Sequence, residues 1–154
     1  SMLNNDVLRS LRYMLDISDQ AVVEILALSG HSASLAQVRG CLAKDDEEDY
    51  IPCPDDLLGH FLDGLVIHLR GRDDSHPPRP LELPLTNNTV LKKLRVAFEL
   101  KEQDLLDILA SVDLTVSKSE LSALFRKVGQ SNYRPCGDQL LRNFLKGLTL
   151  RLRG

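Results

Sequence analysis

Tryptophan is absent and aromatic residues make up only 5% of the chain. Leucine supplies the apolar mass instead, which suits helix packing better than a sandwich core. The three cysteines are an odd number at no metal-ligand spacing. They point to neither a disulfide framework nor a zinc site, and read as reduced thiols of the cytosol. No apolar run approaches the ~20 residues of a membrane span. The start, Ser1-Met2-Leu3-Asn4, has no basic n-region or apolar h-region, so no signal peptide is expected; Ser1 ahead of Met2 reads as a cloning remnant. Also missing are a nucleophile with its base, paired carboxylates and a Gly-rich phosphate loop. The expectation is a protein that is not an enzyme and has no cofactor and no metal.

What the chain has is a repeat. Shifted by 83 positions, residues 4–71 fall on residues 87–154 without a gap. NNDVLRSLRYMLDISDQAVVEILALSG lies over NNTVLKKLRVAFELKEQDLLDILASVD, and YIPCPDDLLGHFLDGLVIHLRG over YRPCGDQLLRNFLKGLTLRLRG. A period this long, present twice, predicts two pseudo-equivalent halves rather than a solenoid array. A chain of 154 residues can bury a core without staples. The copies differ in charge: residues 4–71 hold five Lys/Arg against twelve Asp/Glu, and residues 87–154 hold twelve against seven. Either the halves attract each other, or the basic half meets an anionic partner.

Each copy predicts four helices. Val7, Leu8, Leu11 and Leu15, matched by Val90, Leu91, Leu94 and Phe98, recur at helical spacing. One Asn of each pair (Asn4 or Asn5, Asn87 or Asn88) is expected to cap this first helix. Arg12 and Arg95 each have an acid four residues on, Asp16 and Glu99, as in a helix-face ion pair. A second helix starts at Ser18 and stops at Gly30, with Val22, Ile25 and Leu26 inward, as are Leu105, Ile108 and Leu109. The third opens on the capping box Ser117-Lys118-Ser119-Glu120, with Ser34 to Gln37 its counterpart. It is expected to run to about Lys127 and to bury Leu121, Leu124 and Phe125. A loop of roughly ten residues, acidic over Asp45 to Asp49, closes on Tyr-x-Pro-Cys at Tyr50, Pro52 and Cys53, and again at Tyr133, Pro135 and Cys136.

The fourth helix is the most apolar, through Leu57, Leu58, Phe61, Leu62, Leu65 and Leu69 and their copies Leu140, Leu141, Phe144, Leu145, Leu148 and Leu152. Gly64 and Gly147 lie inside it. A mid-helix Gly costs about 1 kcal/mol relative to Ala, so a close contact is expected there, with the two fourth helices crossing at these glycines. Residues 72–86 hold four of the seven prolines, Pro77, Pro78, Pro80 and Pro84, and read as an extended linker between domains at 1–71 and 87–154. The fold expected is all-α: two tandem pseudo-equivalent four-helix units, each with a helix-turn-helix-like segment, packed together through their first and fourth helices.

The repeated Asn-Asn start, the Tyr-x-Pro-Cys loop and the closing Leu-Arg-Gly resemble the YehS-like family of small bacterial proteins. The stretch VSKSELSALFRKVGQSNYRPCGDQLLRNFLKGLTLRLRG at residues 116–154 is the most specific part. The resemblance covers the chain from Asn4 onward. It implies a bacterial, cytoplasmic, duplicated helical protein, and carries over no activity and no functional residues, the family being of unknown function.

The second and third helices of the basic half, DLLDILASVDLTVSKSELSALFRK, resemble a helix-turn-helix, whose capped helix would enter a major groove. With Leu121, Leu124 and Phe125 inward, Lys118, Ser119, Ser122 and Arg126 point outward toward phosphates and base edges. Lys127, Arg134 and Arg142 would add backbone contacts. Against this, the spacing from Ala110 to Ser117 is one residue longer than usual, and the first copy carries Leu35, Ala36, Arg39 and Ala43 at the outward positions. Helix-turn-helix geometry also packs helices with no DNA involved. The lead expectation is nucleic-acid contact by the basic half; the alternative is a protein-interaction or self-association module with complementary acidic and basic faces. Cys53 and Cys136 stand at helix starts, where the dipole lowers a thiol pKa, but without a C-x-x-C they read as small buried residues, and Cys41 as core. Asp56, His60 and Asp63 share a helix face, yet their counterparts Gln139, Asn143 and Lys146 could not bind a metal, so the face reads as solvated. His31, His68 and His76 show no ligand pattern.

Overall fold

The computed structural model describes residues 2–75 and 80–154. Ser1, His76, Pro77, Pro78 and Arg79 lie outside the described residues. Among those described the chain is helical, with no strand. Its contacts separate into two compact units, Ser1–Leu85 and Thr86–Gly154. The first holds α1 (Asn4–Leu15), α2 (Asp19–Leu28), α3 (Leu35–Leu42) and α4 (Asp55–Arg70). The second holds α5 (Asn87–Ala97), α6 (Glu102–Ala110), α7 (Lys118–Ala123) and α8 (Asp138–Arg153).

Caps and left-handed residues set the helix ends. Ser18, Ser34 and Ser117 accept from the backbone N–H three residues on, at 3.1, 3.0 and 3.0 Å. At Ser117 the Glu120 carboxylate returns the bond to complete the capping box. Gly30 takes φ +83° beyond α2, as glycine does after a helix. Asp16 and Glu99 also sit in the left-handed region, at φ 53°. The two arginines also reach partners beyond these acids. Arg12 Nε faces Asp19 at 3.7 Å. Arg95 Nε donates to the Leu100 carbonyl at 3.0 Å, with its guanidinium 4.6 Å from the Phe125 ring centroid.

Each core is built on its fourth helix. Leu57, Leu58, Phe61, Leu62 and Leu65 are buried on α4, and Leu141, Phe144, Leu145 and Leu148 on α8. Each such side chain contributes about 1.5–3 kcal/mol. Leu69 and Leu152, expected in the core, are exposed because they lie in the last turn. The third helix of the basic unit stops at Ala123, four residues short of expectation. Phe125 is therefore half-buried under Arg95.

The two helix glycines have a different partner from the one expected. A Cβ on Gly64 would collide with the Ile25 carbonyl oxygen of α2, and one on Gly147 with the Ile108 carbonyl oxygen of α6. The close approach is of α4 to α2 and of α8 to α6 inside each unit, so the expected α4–α8 crossing is not what these glycines serve.

The paired asparagines are not caps. The helix already begins at Asn4, and both side chains reach away from it. Thr86 caps the copy, accepting from the Thr89 N–H at 3.2 Å. Asn5, the one buried polar residue among the described residues, donates from Nδ2 to the carbonyls of Gly40, Ala43 and Ile51 at 3.3, 3.3 and 2.9 Å. Its Oδ1 accepts from the Cys53 N–H at 2.8 Å. Asn88 repeats this with the carbonyls of Leu124 and Arg134 (3.0 and 2.9 Å) and the Cys136 N–H (2.8 Å). Asn4 and Asn87 donate to the Cys53 and Cys136 carbonyls, both at 3.0 Å, and to Asp55 and Asp138 at 2.7 and 2.8 Å. Together they clamp the third-to-fourth-helix loop onto the first helix.

Three outcomes follow, all read by urea unfolding. Gly64→Ala should destabilise by about 1–3 kcal/mol through overpacking, against the propensity gain of about 1 kcal/mol. Asn5→Ala should cost about 3 kcal/mol by orphaning buried backbone groups, and more than Asn88→Ala, where water can enter. Asn5→Asp should cost at least as much, since a carboxylate cannot donate to the carbonyls it would face.

Candidate nucleic-acid interface

All seven residues singled out in the basic repeat are exposed. Five of them, Lys118, Ser119, Ser122, Arg126 and Arg134, line one open groove of about 700 Å³ between α7 and the loop that follows it. Lys127 and Arg142 lie outside this groove; the Arg142 guanidinium donates to Gln139 at 3.1 Å. The groove also contains two acids the sequence reading did not place there. Glu102 lies 3.9 Å from the Lys118 ammonium, and Glu120 lies 3.2 Å from the Arg134 guanidinium. Arg126 has no acidic partner among the described residues.

Two substitutions between the copies distinguish this face. In the first unit Ile51 folds over Gly40 so closely that a Cβ there would overlap it. The equivalent residues are Arg134 and Ala123, which stand at the groove wall. Likewise Leu81, from the Pro-rich segment, lies over Gly59, 2.8 Å from where its Cβ would be. The residue at that position in the second unit is Arg142, which is exposed. The same segment is tied to α4 by the Leu85 N–H, which donates to Asp55 at 3.0 Å.

Glu120 is held below the usual carboxylate range, first by the Ser117 backbone N–H and also by Arg134. Asp104 is held low by the Lys101 N–H, with Arg151 adding to it at 2.6 Å. The cysteines are buried. Burial pushes the Cys136 thiol up to about 11, so the helix start does not activate it. Cys53 is likewise raised, by its contact with Cys41 and by burial. The pairing of Cys41 with Cys53 was hidden in sequence, as was the stacking of His31 on His60, with ring centroids 4.9 Å apart. Their counterparts Leu124, Leu114 and Asn143 break the repeat at those sites, which is the signal that marks them.

The family model for a protein of unknown function, DUF1456, matches residues 4–71 and again residues 87–154. The chain belongs to this family. It is similar to "Uncharacterized protein YehS" of Escherichia coli (strain K12), 47% identical over 150 residues, covering 97% of this chain and 96% of that protein. No solved structure matches the chain. Among the described residues no helix is long and apolar enough to cross a membrane.

The capping box gives a pH test. A carboxylate with a depressed folded pKa contributes stability above its unfolded pKa and loses it as pH falls through the folded value. Hydrogen-exchange protection at the Ser117 and Glu120 amides should therefore fall on acidification below the ordinary Glu range. In Glu120→Gln, whose amide oxygen still accepts the Ser117 N–H, protection should be kept and change little with acid.

Proposed function

We propose that this protein is a cytoplasmic, non-catalytic binding module whose second repeat contacts nucleic acid through the groove beside α7. One observation carries the reading: five of the seven basic and hydroxyl residues converge on a single open groove, with Arg126 free of acidic partners among the described residues. Glu102 and Glu120 partly neutralise Lys118 and Arg134, which leaves Arg126 and neighbouring Lys127 as the phosphate contacts. With six residues, α7 spans about 9 Å, short for reading base edges along a major groove. Sequence-tolerant backbone contact fits this better than a helix-turn-helix in its DNA-reading mode.

A second reading is a self-association module. It is favoured by apolar residues exposed at equivalent places in both units, Tyr13 with Val96 and Leu69 with Leu152, together with the exposed acidic run over residues 45–49.

Fluorescence anisotropy with random-sequence duplex DNA and single-stranded RNA across a salt series tests the first reading. Binding should weaken steeply with salt, and Arg126→Glu/Lys127→Glu should lower affinity by about tenfold or more, with a shallower salt slope. No binding at low salt would sink it. Concentration-dependent sedimentation of the same preparation would then support the second.

A further inference from the structure

The first unit carries a pair of imidazoles that the reading above does not use. His31 follows Gly30 in the turn after α2, and His60 lies on the second turn of α4. The Ser29 hydroxyl holds the two elements together by donating to the His60 carbonyl at 2.8 Å. The rings stack with centroids 4.9 Å apart and planes 26° from parallel. Both residues are half-buried. No ring nitrogen has a hydrogen-bond partner among the described residues, yet none is sealed from solvent. Each neutral imidazole in such a place offers one open nitrogen lone pair.

We propose that His31 and His60 form a two-histidine chelate for a borderline divalent cation of the zinc and nickel class. Two imidazoles bound to one ion at ~2.0–2.1 Å, with an angle near 90–110° at the metal, place their ring centroids about 4.5–5.2 Å apart. The observed separation falls inside that window; the rings stand stacked, so ligation requires both to rotate about Cβ–Cγ until a nitrogen of each faces the ion. Imidazole selects Zn²⁺, Ni²⁺ and Cu²⁺ over Mg²⁺ and Ca²⁺. Among the described residues no group of three or more His, Cys, Asp or Glu is arranged around an ion. Water fills the other positions, and binding is reversible rather than structural. The site belongs to the first repeat alone, because the second has Leu114 and Asn143 at these positions. It is independent of the nucleic-acid reading.

The test is a Ni²⁺ titration of the untagged, full-length, ¹⁵N-labelled protein at pH 7.5, following the histidine side-chain resonances. His31 and His60 should broaden together at a concentration about tenfold or more below that which broadens His68, the single-histidine reference. His31→Leu and His60→Asn install the residues of the other repeat. Each should move the remaining histidine of the pair into the range of His68. Parallel broadening in the wild type would overturn the site, as would a His31 response unchanged by His60→Asn. If circular dichroism shows a variant unfolded, the glutamine substitution at the same position replaces it, and the wild-type comparison still decides.

Discussion

In each unit a carboxamide in the first turn of the first helix closes a loop 48 residues further along the chain. Everything after the third helix depends on it. The loop has no regular structure to satisfy its backbone, and buried backbone groups cannot go unpaired. Asn suits the task because its two ends differ: the amino end meets carbonyls of both the outgoing and the returning chain, and the oxygen meets the N–H of the returning one. The adjacent Asn fixes the start of the fourth helix through its first acidic residue. The long apolar helix on which each core is built is thereby aimed by four polar contacts at its entrance.

On this shared frame the two repeats present different surfaces. Ile51 over Gly40 and Leu81 over Gly59 fill in the first unit what Arg134 and Arg142 leave open in the second. The charge difference between the copies is therefore accompanied by a difference in shape. A change from glycine to a side-chain-bearing residue at two positions separates a covered face from an exposed basic one.

The helices, their order and their buried faces were legible because burial imposes a period on each helix, and the second copy allowed each assignment to be checked against the first. The outward set Lys118, Ser119, Ser122 and Arg126 followed from the same period. The tertiary partners were not legible. Asn5 beside a helix start looks like a cap, since its real acceptors lie dozens of residues away. Gly64 announces a close neighbour without saying which. Arg12 and Asp16 have the spacing of an ion pair, but spacing does not show that Arg12 also faces Asp19 of the next helix. Glu102 and Glu120 entered the groove unforeseen because helical phase gives direction and not which residues converge.

The contact between Gly64 and the Ile25 carbonyl, repeated at Gly147 and Ile108, has a consequence for how such a protein can change. Main chain rests on main chain there, in the manner of a Cα–H···O contact. The spacing of the two helices is thus set by atoms common to every residue. Substitutions elsewhere on α4 or α8 alter what the surface offers without altering how far apart the helices stand. A duplicated frame with its separation fixed in this way can let one copy turn acidic and the other basic while both keep the same shape underneath.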